Sequence, residues 1–156
     1  MIENKKKILV LTPRFPYPVI GGDRLRIYQV CKALSSEFSL TLLSLCENES
    51  ELGIQIPNDG VFDNVERILL KPKYSYLNTL IAIFKNTPLQ VEYYRSTEFA
   101  SSVNRLLPKH DGVLSHLIRC AEYVINVDKP KFLEMTDAIS LNYSRVNNLN
   151  KGLWKK

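Results

Sequence analysis

Two adjacent glycines, Gly21 and Gly22, are the first residues whose type and position suit chemistry. They stand between a proline-rich loop and a predicted helix. Glycine lets a ligand approach the backbone closely, and the first turn of a helix offers unpaired N–H groups and a partial positive charge. Arg26 lies one turn further along and would add charge. The pattern predicts a site for phosphate or another anion. The alternatives are a plain tight turn and an exposed salt-bridge arginine.

Three polar residues in the second half of the chain follow predicted strands. His116 and Arg119 come at the end of the fourth strand, and Asp137 comes after the fifth. Loops at the carboxyl ends of parallel strands commonly carry functional side chains. Each residue also has an ordinary interpretation, since a lone histidine is most often structural and Asp137 is well placed to cap the last predicted helix.

Short apolar strands and amphipathic helices alternate along the chain, and these elements must position the candidates. Strands are predicted at 8–11, 38–45, 65–70, within 111–116 and at 131–135, with helices from Asp23 as cap, from Ser75 as cap, from about Thr97, over 117–125 and from Asp137. The alternation predicts an α/β fold. We expect a Rossmann-like, doubly wound, mainly parallel sheet of five or more strands, in the order 3-2-1-4-5, with helices on both faces.

The loops after strands 1, 4 and 5 should open at the carboxyl edge of this sheet, where doubly wound folds bind ligands. The candidates are therefore predicted to share one crevice: Gly21, Gly22, Arg26, His116, Arg119 and Asp137. The crevice should be positive near the glycines, because a helix start and Arg26 meet there.

The composition is that of one globular domain. The 156 residues are 45% hydrophobic and 24% charged, with a net charge of +5 and a pI near 9.1. This basic balance fits a solvated surface, a phosphate ligand or an anionic membrane face. Nucleic acid is disfavoured, because the lysines are scattered over both ends of the chain. No stretch predicts a signal peptide or a membrane span, and three cysteines with no CxxC spacing predict reduced, mostly buried thiols in a cytoplasmic protein.

Two common phosphate motifs do not occur in the sequence. Neither GxxxxGK[ST] nor GxGxxG is present, which excludes a P-loop and disfavours an ordinary dinucleotide site. The two histidines lie far from any cysteine pair, so we expect neither a metal site nor a cofactor.

A longer pattern resembles the start of a known enzyme family. The segment TPRFPYPVIGGDRLR at 12–26 follows an apolar strand and opens a helix. It resembles the amino-terminal domain of retaining glycosyltransferases of the GT-B fold, in family 4, and looks like the bacterial exopolysaccharide sugar transferases. Weaker resemblance continues at PLQVEYYRS (88–96), DGVLSHLIRCAEY (111–123) and FLEMTDAIS (132–140).

The resemblance implies a role for each candidate residue. Gly21 and Gly22, aided by Arg26, would face the diphosphate of a nucleotide-sugar donor, without a metal ion. His116 and Arg119 would belong to the acceptor site. Asp137 would occupy the position near the donor sugar where many family members carry a catalytic histidine.

The resemblance also implies what surrounds this chain. Family members continue for roughly another domain, so residues 1–156 are expected to be the acceptor-side half of a cytoplasmic hexosyltransferase, inactive without its donor-binding domain. Its partners would be a nucleotide sugar, a glycan or lipid-linked acceptor, and a membrane surface contacted peripherally.

Two other functions stay open. One is a stand-alone nucleotide- or anion-binding module of the flavodoxin or receiver type, without catalysis; a receiver is disfavoured because strand 1 ends in Thr12-Pro13-Arg14 instead of acids. The other is a basic module without catalysis that binds membrane or nucleic acid.

Overall fold

The computed structural model describes residues 5–82 and 88–135. Over these ranges the regular elements follow one another in the order β1 Lys6–Thr12, α1 Gly22–Leu34, β2 Phe38–Cys46, α2 Glu49–Leu52, β3 Asn64–Leu69, α3 Pro72–Ala82, α4 Leu89–Tyr93, α5 Thr97–Leu106, β4 Gly112–His116, α6 Ile118–Ala121 and β5 Lys131–Glu134. Single 3-10 turns follow α5 and α6, at Leu107–Lys109 and Glu122–Val124.

The five strands form one parallel sheet in the order β3-β2-β1-β4-β5. This confirms the predicted α/β class and strand order, with β1 at the centre. β1 is the strand at which the chain changes direction across the sheet, and the glycine pair follows it. Because all strands are parallel, the ends of β1, β2, β4 and β5 meet at one carboxyl edge.

Helices cover both faces of the sheet. On one face Ile27 and Cys31 of α1 pack against strand residues such as Val10 and Leu42. On the other, Phe99 and Val103 of α5 pack against the alternate strand residues, Leu9, Leu11 and Val113 among them. Successive strand residues point to opposite faces, so the continuous apolar runs of β1 and β2 supply both cores.

Two predicted helix starts were wrong. Gly21, not Asp23, is the N-cap of α1, and no side chain caps that turn within the described residues. α3 begins at Pro72 rather than at Ser75, because the fixed φ of proline suits the first helical position. The start of α5 after Ser96 agrees with prediction, and the Ser96 hydroxyl accepts from the Phe99 N–H at 3.2 Å.

Other differences concern the edge of the sheet and the end of the chain. The helix predicted over 117–125 is only the short α6 and a 3-10 turn. The apolar stripe of α3, at Leu77, Leu80 and Ile81, points outward instead of inward. The helix predicted from Asp137 lies outside the described residues. No helix in the described ranges is long and apolar enough to cross a membrane.

Candidate functional site

The first turn of α1 is accessible from outside the protein. Gly21 has φ +95° and ψ 159°, a conformation that residues with side chains rarely adopt. A Cβ at Gly22 would meet no atom within 4 Å, so a ligand can approach this turn closely. The backbone N–H groups and the partial positive charge of this 13-residue helix face that space. The turn therefore suits a phosphate.

His116, Glu134 and Arg26 form one cluster beside this turn. His116 ends β4 and Glu134 ends β5, and the register of these parallel strands makes the two residues direct neighbours. His116 Nδ1 lies 2.5 Å from Glu134 Oε2, and Arg26 donates from Nε to Glu134 Oε1. Arg26 is one turn into α1, so the cluster ties that helix to the edge strand.

Burial and pairing set the charges of this cluster. Burial lowers the pKa of His116 below 6.5, although the hydrogen bond to Glu134 opposes the shift. Burial alone would raise the pKa of Glu134, but hydrogen bonds from Arg26 and His116 outweigh it and hold that pKa below 4.5. At neutral pH the cluster is a carboxylate, a guanidinium and a neutral imidazole. Because Nδ1 donates to Glu134, Nε2 carries the imidazole lone pair.

A second polar network runs along the same edge. Glu47 Oε1 accepts from Arg14 Nε at 3.1 Å and from the Tyr94 hydroxyl at 2.8 Å. Arg119 donates to that hydroxyl at 3.3 Å and stacks on the Tyr94 ring, 4.8 Å from its centre. Arg14 also lies 3.7 Å from Asp23, so this network reaches the first turn of α1.

The structure brings several predicted residues together. Gly21, Gly22 and Arg26 share the start of α1, and His116 joins them through Glu134. Arg26 is half-exposed and pairs with a carboxylate, so it is the salt-bridge arginine of the alternative interpretation. Its charge is balanced in this structure, so the partial positive charge offered near the glycines is that of the helix start, whose first turn also holds the acidic Asp23.

The other two predicted site residues, Arg119 and Asp137, are not shown to join this group. Arg119 belongs to the network around Tyr94, where it also lines a groove of about 250 Å³ between α4, α5 and α6. Asp137 lies outside the described residues, so its role stays a prediction.

Glu134 is the residue that the sequence analysis missed. The signal was an acid at the carboxyl end of a short apolar strand, three positions before Asp137. Which histidine it would meet depends on the pairing of β4 with β5, which no local pattern specifies.

The arrangement suits anion binding and hydrogen bonding to hydroxyl groups. The helix start supplies N–H donors and Arg119 supplies a guanidinium, and the lone pair on Nε2 belongs to a His116 side chain that is only 4% exposed. No group of three His, Cys, Asp or Glu residues placed to hold a metal ion occurs in the described ranges. The three cysteines are buried free thiols, as predicted, and burial raises the pKa of Cys31 and of Cys46 to about 12.

The chain was compared with known proteins and solved structures. No family model matches it, and no curated protein matches it. Its fold is similar to that of Phytolacca americana UGT2, solved with UDP-2fluoro-glucose and pterostilbene, at 12% identity and a TM-score of 0.49, over 86% of this chain and 31% of that one. It is also similar to the N-terminal domain of Candida albicans trehalose-6-phosphate phosphatase, at 14% identity and a TM-score of 0.46, over 86% of this chain and 34% of that one.

These similarities are ones of general architecture, which the sheet order of this chain establishes by itself. The chain spans about a third of the length of each of the two structures.

Proposed function

We propose that this chain is the acceptor-side half of a retaining glycosyltransferase of the family 4 type. Joined to a donor-binding domain, it would transfer a hexose from a nucleotide sugar to a glycan or lipid-linked acceptor, in the cytoplasm, during bacterial surface polysaccharide synthesis. The observation that carries the proposal is the meeting of an accessible helix start at Gly22 with the His116–Glu134–Arg26 cluster at one carboxyl edge. The resemblance of residues 12–26 to that family adds the reaction type.

In this proposal the helix start receives the diphosphate of the donor. The N–H groups after Gly21 are fixed before the ligand arrives, so they stabilise negative charge on the leaving diphosphate without reorganising. The contact is made by backbone, which explains why residues without side chains stand there. Arg26, one turn into the same helix, would add its charge if a phosphate displaced Glu134 from it.

His116 would orient the acceptor. Its Nδ1–H is held by Glu134, so Nε2 is presented as a hydrogen-bond acceptor for a sugar hydroxyl. Glu134 is then a positioning residue. Arg119, in the neighbouring network, would contact a more distant part of the acceptor. Asp137 stays our candidate for the group beside the donor sugar.

The alternative is a stand-alone anion- or nucleotide-binding module. The same helix start would bind any phosphate, so binding of an anion does not distinguish the two functions. Only the transferase would also bind a sugar acceptor. A binding module needs neither His116 nor Glu134 for its ligand. A transferase half needs both.

Amide NMR of this chain tests the donor half of the proposal. We would titrate it with UDP, UDP-glucose, GDP-mannose and inorganic phosphate at millimolar concentration. The amide signals of Gly21 and Gly22 should shift more with nucleoside diphosphates than with phosphate. Shifts confined to other parts of the chain would contradict the site.

Transfer in the joined protein tests the reaction. The chain is fused to a donor-binding domain and assayed for sugar transfer, with Glu134→Gln and a matched change, Glu98→Gln, at an exposed acid on α5. We expect the first change to lower transfer at least tenfold and the second to leave it unchanged. Equal activity of the two variants would favour a binding module.

A further inference from the structure

Arg119 differs from the other arginines of the described residues in having no strong acceptor. Within this part of the chain its guanidinium donates only to the Tyr94 hydroxyl, at 3.3 Å, which is longer than the roughly 2.7–3.2 Å of an ordinary N–H···O hydrogen bond. The others are each held by a carboxylate or by backbone carbonyl groups: Arg14, Arg24, Arg26, Arg67, Arg95 and Arg105. Arg119 therefore keeps N–H donors for a ligand.

The guanidinium of Arg119 is nevertheless fixed in place. It stacks on the ring of Tyr94, 4.8 Å from the ring centre. Tyr94 is itself only 5% exposed, and its hydroxyl donates to Glu47 at 2.8 Å, so the ring cannot turn freely. A planar guanidinium held in this way loses little freedom on binding, and it can donate two parallel hydrogen bonds to one carboxylate.

The groove that Arg119 lines has room for a single ring-sized group. Its volume of about 250 Å³ is below the roughly 300–1,000 Å³ of sites that enclose a drug-sized ligand. Val91, Ala100 and Tyr123 give it apolar lining, and Thr97 adds a hydroxyl. A sugar ring suits such a lining, because its C–H groups pack against apolar side chains while its hydroxyl groups form hydrogen bonds.

The charges of the groove favour a ligand with one negative charge. Arg95 and Glu122 also line the groove, but they pair with each other at 2.5 Å, and Glu92 holds Arg95 from within the protein at 2.9 Å. Among the described residues, Arg119 is thus the only cation of the groove without a carboxylate partner. A carboxylate matches one guanidinium, whereas a phosphate monoester would bring a second charge close to Glu122.

We propose that this groove binds an acidic sugar residue of the acceptor, with the sugar carboxylate on the guanidinium of Arg119. The inference rests on the proposed function, because it names the chemistry of the acceptor. The carboxylate accepts two N–H groups of Arg119, and the sugar ring lies against Val91 and Tyr123. Arg119 then selects acidic glycans over neutral ones, since a neutral sugar leaves the guanidinium without a partner.

NMR of this chain tests the carboxylate directly. The ligands are the methyl glycosides of glucuronic acid and of glucose, which differ only in a carboxylate in place of a hydroxymethyl group. The amides of Thr97 and Ala100 and the Nε–H of Arg119 should shift with the glucuronic acid glycoside at millimolar concentration. Arg119→Gln should weaken that binding about tenfold, because a charge-assisted pair of hydrogen bonds is lost. Arg105→Gln is the matched control, since Glu66 holds this arginine outside the groove.

A second variant keeps the charge at this position. Arg119→Lys should bind the glucuronic acid glycoside more weakly than wild type and more tightly than Arg119→Gln, because an ammonium group lacks the planar fork. Circular dichroism checks that both variants are folded. Equal shifts with the two glycosides, no shift with either, or binding that neither variant weakens would overturn the carboxylate site and leave the transferase proposal standing. Binding at Arg119 without sugar transfer by the fused protein would support the carboxylate site and count against the transferase.

Discussion

Glu134 connects two residues that the sequence singled out for separate reasons. Its two carboxylate oxygens accept from different partners, Arg26 on the helix and His116 on the adjacent strand. A partly buried carboxylate with both oxygens paired is stable as an anion. That anion in turn selects the imidazole tautomer of His116, so the chemistry offered at Nε2 depends on a residue that need not touch a substrate.

The pKa of His116 should respond in opposite directions to the loss of its two neighbours. Glu134→Gln removes the carboxylate that favours the charged imidazole, so the pKa of His116 should fall further below 6.5. Arg26→Gln removes a nearby positive charge, so that pKa should rise. Two-dimensional NMR of the imidazole signals of His116 against pH measures both variants. A rise in Glu134→Gln would contradict the assigned charges.

The same shifts make stability fall on acidification. Both His116 and Glu134 have pKa values below those of the unfolded chain, so the unfolded state takes up protons first. Their contribution to the stability of the fold is complete above pH 6.5. It is lost as the pH falls, first by protonation of His116 and, below pH 4.5, also by protonation of Glu134. Urea unfolding at pH 7.5 and pH 5.5 gives the free energy of unfolding at each pH. The difference between the two values should be smaller for His116→Gln than for wild type. An equal difference would mean that His116 is not the titrating group.

The two glycines should respond differently to substitution by alanine. Gly21→Ala should destabilise the chain by about 1–3 kcal/mol, because alanine is strained at φ +95°. Gly22→Ala should leave the free energy of unfolding within about 0.5 kcal/mol, since its Cβ meets nothing within 4 Å. It should nevertheless weaken binding of a nucleoside diphosphate, because the methyl group occupies the approach to the turn. Urea unfolding measures the change in stability, and amide NMR measures the change in ligand binding.

At the scale of elements, β4 is held tightly between its neighbours. A Cβ at Gly112 would lie 3.1 Å from the carbonyl oxygen of Pro130 and 3.2 Å from Ile8 Cδ1. That carbonyl already accepts from the Val113 N–H at 2.9 Å, so it cannot move away without loosening the start of β5. The edge strand that carries Glu134 is therefore positioned partly by a residue at the far end of its neighbour.

Gly112→Ala should consequently destabilise the chain by about 1–3 kcal/mol, the usual effect of overpacking. It should also disturb the pairing of β5 with β4 and change the NMR signal of His116, at the other end of the strand. Gly53→Ala is the control, because a Cβ there meets its nearest atom at an ordinary 3.7 Å. An unfolding free energy equal to that of the control would show that β5 adapts freely.

Periodicity predicted which elements exist, but not how they face one another. The apolar runs of β1 and β2 can be buried only between two layers, which gives the class, and the strand order was predicted from the alternation of elements and the glycine pair after β1. The stripe at Leu77, Leu80 and Ile81 is equally regular, yet it faces solvent, because helical spacing does not say which side meets the body. The start of α1 was missed for a similar reason, since both Gly21 and Asp23 are acceptable N-caps and only the backbone conformation decides.

The site shows the same limit. The glycine pair and His116 were predicted to lie near one another because strand ends of a parallel sheet converge, and the structure places them at one edge. The partner of His116 depends on the register between β4 and β5, and that register is set by tertiary structure and not by a local sequence pattern.

At the scale of the whole molecule, the carboxyl edge offers paired charges and one accessible helix start, which suits a small anion. The net charge of +5 favours such a contact electrostatically.

This chain alone should bind nucleotide sugars weakly and should not turn them over. The first turn of α1 offers about three N–H groups, and each net hydrogen bond contributes on the order of 1 kcal/mol. A total near 3 kcal/mol is less than the roughly 4 kcal/mol that corresponds to a Kd of 1 mM. Calorimetry measures the affinity for nucleotide sugars, and a radiolabelled transfer assay measures turnover. The fusion to a donor-binding domain is the positive control. Micromolar binding by the chain, or transfer without the second domain, would show that the site is complete in these 156 residues.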